Sequence, residues 1–157
     1  MDLKLEAIVL PVSDVDRAKT FYEAAGFRLD VDNTFSDDYR LLHFTPPGSQ
    51  CSILFGKGMI STAPGTAQGL YLIVSDVEQA RAELIGRGIE VSEVFHDAGG
   101  LLHHGHEDGD AIHQGAGQER IAGPEPDRTS YASYATFSDP DGNGWVLQEI
   151  TERQPGR

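Results

Sequence analysis

The chain has 157 residues, with 12 Lys+Arg against 25 Asp+Glu, a formal net charge of −13 and 39% hydrophobic residues. That is the composition of a single globular domain, and its acidity argues against nucleic acid or an anionic membrane surface as partner. One cysteine, Cys51, excludes an intrachain disulfide framework and a Cys-rich zinc site. No apolar run approaches the roughly 20 residues that span a bilayer. The opening MDLKLEAIVLPVSD carries an early acid and no small-residue cleavage site, so a cytoplasmic location without a signal peptide is expected. Five of the six histidines fall between His96 and His113.

In chain order, residues 5–12 are apolar nearly throughout and predict a buried strand. Ser13 and Asp14 supply cap oxygens for a helix whose stripe is Val15, Ala18, Phe21, Tyr22 and Ala25. Gly26 stands where a left-handed residue ends a helix. Short β-type runs follow at 28–31, 40–44 and 49–55, and residues 57–68 read as a linker. Residues 70–74 then predict a second such strand. Ser75 and Asp76 cap a helix with Val77, Ala80 and Leu84 on its stripe, and Gly88 ends it. Runs at 89–94, 131–137 and 144–150 complete the series, with a tail at 153–157. Between them lies a Gly- and His-rich insertion at about 97–128, expected to be loop.

The two halves repeat. Leu10-Pro-Val-Ser-Asp-Val15 returns as Leu72-Ile-Val-Ser-Asp-Val77 at an offset of 62, and Gly26 returns as Gly88. Pro46-Pro-Gly-Ser-Gln-Cys-Ser-Ile-Leu54 parallels Pro140-Asp-Gly-Asn-Gly-Trp-Val-Leu-Gln148 at an offset of 94. One domain of residues 1–157 thus contains a β-α-β-β-β module at 1–56 and a second at 69–152, the second longer by about 32 residues. The class is α+β.

The paired VSDV–helix–Gly starts, with the Phe137-Ser-Asp-Pro-Asp-Gly-Asn143 turn before the final strand, resemble the vicinal oxygen chelate superfamily. That group holds glyoxalases, extradiol dioxygenases, fosfomycin-resistance transferases and bleomycin-binding proteins. The resemblance implies two tandem βαβββ modules curling into a cup-shaped mixed sheet, with helices outside, the ligand inside and a homodimer as the assembly. It also implies a divalent metal held by His and Glu on four strands. Counted from the helix-capping aspartates and the final turn, those positions here are Ala7, Gly69, Ser52 and Val146. None is a His or carboxylate, so no metal and no other cofactor is expected.

Strand alternation extends the cup face to Val9, Leu54, Tyr71, Gly144 and Gln148, an apolar floor with Ser52, Tyr71 and Gln148 as polar handles. Trp145 and Cys51 have the opposite parity and are expected to pack in the core. His43 could face the cup, but the repeat sets it against Phe137, which points to packing. His103 and His104 in the insertion complete the candidate ligand-binding set as part of a lid, the alternative being a solvated surface excursion. Three readings follow: a metal-free binder of a small organic molecule, by drug or metabolite sequestration; an enzyme of lyase, isomerase or dioxygenase type, with Tyr71, His103 or His104 as acid/base groups; and a metalloenzyme with a shifted site drawn from Glu6, the loop histidines and Glu149. Glu6 and Glu149 are otherwise most simply solvated or strand-end charges.

Overall fold

The structure is a computed structural model and describes residues 1–97 and 120–155. The chain divides into two compact units, Met1–Ala67 with Ser138–Asn143, and Gln68–Phe137 with Gly144–Arg157. His103, His104, His106 and His113 lie outside the described residues.

In unit one the elements are β1 (Ala7–Val9), α1 (Val15–Ala24), β2 (Arg28–Ser36), β3 (Tyr39–Thr45) and β4 (Ser52–Lys57), and the sheet order is β1-β4-β3-β2. β1 lies parallel to β4 and the other neighbours are antiparallel. Asp14 caps α1 by accepting from the Arg17 N–H. At the other end Gly26, at φ 89°, lets its own N–H reach the Glu23 carbonyl and the Phe27 N–H reach the Tyr22 carbonyl. Tyr22, Ala18, Leu10, Leu42, Phe44, Ile53 and Phe55 are buried between helix and sheet. The Tyr22 ring sits 5.4 Å from Phe55 and 6.1 Å from Phe44. Its hydroxyl donates to Asp139 at 3.0 Å, and Asp139 also accepts from Asn143 and from the Asp141 N–H. The Asp-Pro-Asp-Gly-Asn turn is therefore organised from within by one buried carboxylate.

In unit two the elements are β5 (Leu70–Val74), α2 (Val77–Gly86), β6 (Phe95–Asp97), β7 (Arg120–Ala122), β8 (Ser133–Ser138) and β9 (Gly144–Glu149), ordered β5-β9-β8-β6-β7. Asp76 caps α2 through the Gln79 N–H, and Gly88 at φ 87° closes it with the Ile89 N–H on the Leu84 carbonyl. Caps and closures thus recur at the 62-residue offset read from the sequence. Trp145 is buried and stacks on Phe137 with centroids 6.0 Å apart, as its parity required. Among the described residues no helix is long and apolar enough to cross a membrane.

Three sequence expectations need correction. The run at 89–94 forms only an isolated bridge, Val91 to Phe137, and the strand starts at Phe95. The stretch expected to be loop from about 97 to 128 instead returns through β7, which pairs with β6 from Phe95↔Ala122 to Asp97↔Arg120. Arg120 caps this ladder by lying over the Phe95 ring, 4.3 Å from its centroid. Glu149 is not a solvated strand-end charge. Its side chain is 1% exposed and held by Arg128.

Candidate functional site

Each unit presents one face of its sheet to the helix and carries the sequence-identified residues on the other. In unit one the parallel ladder sets Ala7 opposite Ser52 and Val9 opposite Leu54, and the β3–β4 ladder sets His43 opposite Leu54. All five candidate residues of this unit therefore share one face, since Ile53 and Phe55 point to the core. His43 and Phe137 are not equivalents: Phe137 stacks on Trp145, whereas His43 lies across from Leu54. The His43 ring is half-buried, and its Nε2 is buried without a hydrogen-bond partner among the described residues.

Thr45, two residues along β3, joins this face. Its hydroxyl donates to Asp30 and lies 2.8 Å from the Ser52 hydroxyl. Asp30 sits at a bulge of β2, where the register to β3 shifts between Leu29 and Val31. The Arg28 guanidinium, then the Thr45 hydroxyl, hold the Asp30 carboxyl below the usual range. Asp30 and Thr45 were missed in the sequence. The available signal was parity, since Thr45 follows His43 by two.

In unit two the β5–β9 ladder sets Tyr71 opposite Val146. Ser52 and Val146 are partners at the 94-residue offset, so the residue matching Ala7 in the ladder is Tyr71. Counting back from the helix cap had indicated Gly69, which precedes β5 at φ 71°. Tyr71 packs against a buried cluster of Phe95, Tyr134 and Val146. Its hydroxyl is buried with no hydrogen-bond partner among the described residues, and burial, with a smaller contribution from Tyr134, pushes its pKa up to about 12. Gln148 is buried and its amide nitrogen donates to the Tyr131 carbonyl at 3.2 Å, a carbonyl that also accepts from the Tyr134 hydroxyl. Tyr131 adopts φ 76°, a left-handed conformation costly for an aromatic residue.

These side chains do not fit the metal centre that the fold implies. Ala7 and Val146 are hydrocarbon, the Ser52 hydroxyl is engaged with Thr45, and Tyr71 keeps its proton far above neutral pH. Among the described residues no three His, Cys, Asp or Glu side chains come together to hold an ion. For a shifted site, the Glu149 carboxylate is already occupied by Arg128 and the Val77 N–H, and Glu6 is exposed. Cys51 is half-buried, its sulfur 3.7 Å from the Ser52 carbonyl.

Residues 4–147 match the Glyoxalase/Bleomycin resistance protein/Dioxygenase superfamily, and the chain belongs to that family. Among solved structures it is similar to TnmS3, an antibiotic binding protein from Streptomyces sp. CB03234. The two are 27% identical over 96% of this chain and 98% of the other, with a TM-score of 0.64. It is also similar to a glyoxalase/bleomycin resistance protein from the same Streptomyces strain, 28% identical over 93% and 100% of the two chains, with a TM-score of 0.62. A superfamily member from Sphaerobacter thermophilus DSM 20745, 24% identical over 94% and 98%, shares the fold at a TM-score of 0.63. No curated protein matches the chain.

Proposed function

We propose that this protein binds a small organic molecule, a drug or a metabolite, on a sheet face, that of Ala7, His43 and Ser52 in unit one or that of Tyr71 and Val146 in unit two, without the family's metal. The observation that carries the reading is two buried polar atoms without a partner among the described residues, His43 Nε2 and Tyr71 Oη, each on a candidate face. A buried polar group with no partner costs roughly 1–3 kcal/mol, and a bound ligand would recover that energy. Apolar neighbours with a few polar handles are the usual lining of such sites. The resemblance to an antibiotic binding protein supports the same reading.

For Tyr71 itself, a binding role is favoured over acid/base catalysis by the burial of its hydroxyl. A phenol whose pKa is about 12 serves as a hydrogen-bond donor, whereas a general acid or base works best with a pKa near the operating pH. The matching helix caps and closures, 62 residues apart, support an origin of the two modules by duplication. Exposed Leu3, Leu5, Phe35 and Tyr39 support a homodimer, and the acidic composition suits a cytoplasmic location.

The test is a thermal-shift screen of antibiotics and aromatic metabolites, with elemental analysis of the purified protein. A compound that raises the melting temperature and is recovered unchanged is expected. Stoichiometric zinc, nickel, manganese or iron would refute the metal-free reading, and turnover of the bound compound would refute sequestration.

A further inference from the structure

Along the face of unit one, the hydroxyl protons have a single possible order. Asp30 is a carboxylate and accepts from Thr45. A hydroxyl has one proton to give. In the 2.8 Å contact between Thr45 Oγ1 and Ser52 Oγ, Ser52 must therefore be the donor. Ser52 and Thr45 are 5% and 6% exposed, so water does not readily rearrange this chain. With its proton committed inward, the Ser52 oxygen offers only lone pairs. On the same face the unpartnered His43 Nε2 accepts whenever the ring proton sits on Nδ1. Asp30, which ends this chain of hydroxyls, is itself paired with Arg28 at 2.5 Å, so the lone pairs of Ser52 and His43 rather than its charge set the preference.

We infer that the unit-one face receives the hydrogen-bond-donating, cationic part of a ligand, a protonated amine, with Ser52 Oγ and His43 Nε2 as acceptors. This rests on the small-molecule reading of that face and specifies its chemistry. A carboxylate placed there would set lone pairs against lone pairs. The chain's net charge of −13 favours the same sign of ligand at longer range.

Benzylamine and benzoate make a matched pair of probes, titrated into ¹⁵N-labelled full-length protein at pH 8 and followed at the amides of residues 43–54 and the His43 ring. Benzylamine should saturate these signals at a concentration at least about tenfold lower than benzoate, a difference of about 1.4 kcal/mol. Thr45→Val removes the internal acceptor and returns the Ser52 proton to the face, so the preference should shrink or reverse. Ser52→Ala, a smaller change, should weaken benzylamine without improving benzoate, and it serves if the Val variant does not fold. Equal binding of the two probes by the wild type, or an undiminished preference in Thr45→Val, would overturn the inference while leaving the small-molecule reading intact. Saturation by neither probe overturns it too, and the small-molecule reading then falls only if no screened compound shifts the melting temperature.

Discussion

Arg128 grips Glu149 with both prongs of its guanidinium, Nε to Oε1 at 2.9 Å and the terminal nitrogen to Oε2 at 2.6 Å. The same arginine reaches Glu78 at 2.7 Å, and Glu149 also accepts the Val77 N–H at the start of α2. One residue thus ties the last strand to the helix N-terminus. Its own backbone is left-handed, at φ 53°. Arg128→Ala would leave a buried carboxylate without its counter-charge and should cost about 3 kcal/mol in urea unfolding. Adding Glu149→Gln should restore part of the loss, because the stranded charge is gone while the Val77 N–H keeps an acceptor. Equal losses in the single and double variants would show that charge burial is not the cause.

The phenol of Tyr71 is expected to oppose folding and assist binding. Tyr71→Phe removes a buried hydroxyl that has no partner among the described residues, so the ligand-free protein should gain about 1 kcal/mol and melt higher. Affinity for any compound found in the thermal-shift screen should fall. A spectrophotometric titration should find this tyrosine ionising near pH 12 in the folded protein. Because its folded pKa lies above the ordinary value of 10, the unfolded chain gives up the proton first. Stability should therefore drop as pH rises from 10 towards 12, less steeply in Tyr71→Phe. A variant that melts lower would mean the hydroxyl is satisfied.

At low pH the first unit should weaken through Asp32. Its carboxylate accepts two hydrogen bonds from Arg40 and one from Lys19, each at 2.9 Å, and these partners lower its pKa to about 2. The unfolded chain binds this proton near pH 4, the folded chain only near 2. The stabilisation is thus complete above pH 4 and disappears as pH falls through about 2. Allowing for solvent screening, it amounts to about 1 kcal/mol. Asp32→Asn should lower stability at pH 7 by roughly that amount and flatten the decline between pH 4 and 2. An unchanged acid limb would assign it to other carboxylates.

The frame of each module is legible because its signals are local. Asp14 and Asp76 bond to amides three residues ahead, and Gly26 and Gly88 take the one conformation that closes the helix. Face assignments also transfer well, since alternation along a strand needs no knowledge of its neighbours. Trp145 and Ser52 fall on the sides that their parity dictates, whereas the repeat with Phe137 pointed His43 to packing and the β3–β4 ladder sets it across from Leu54.

Register and distant pairing are not legible in the same way. The count that indicated Gly69 assumed equal lengths of chain between strand and helix cap. Pro11, which has no N–H to give, follows the last bond of β1, whereas β5 continues to Val74 and accepts there from the Ile150 N–H. The ladder therefore slides by two residues, and Tyr71 takes the position opposite Val146. Arg128 carries no local mark of its role, because Glu149 lies 21 residues further on. The three residues of β7 are all exposed and show no alternation to read.

Within the stretch read as linker, Gly65 has a packing role that can be isolated. It adopts φ 79°, its N–H donates to the Pro11 carbonyl at 3.2 Å, and a Cβ there would lie 2.0 Å from the Asp141 carbonyl oxygen. The turn holding Asp141 cannot easily retreat, since its backbone is tied to Asp139, which is tied in turn to Tyr22. Gly65→Ala should therefore combine left-handed strain with a clash and cost about 3 kcal/mol. Gly48 provides the control: it has φ 75° but nothing within 4 Å of the added carbon, so Gly48→Ala carries the strain alone. That variant should lose only about 1 kcal/mol. Thermal unfolding of the two measures the difference, and equal losses would mean that the Asp139–Asn143 turn yields to the new methyl group.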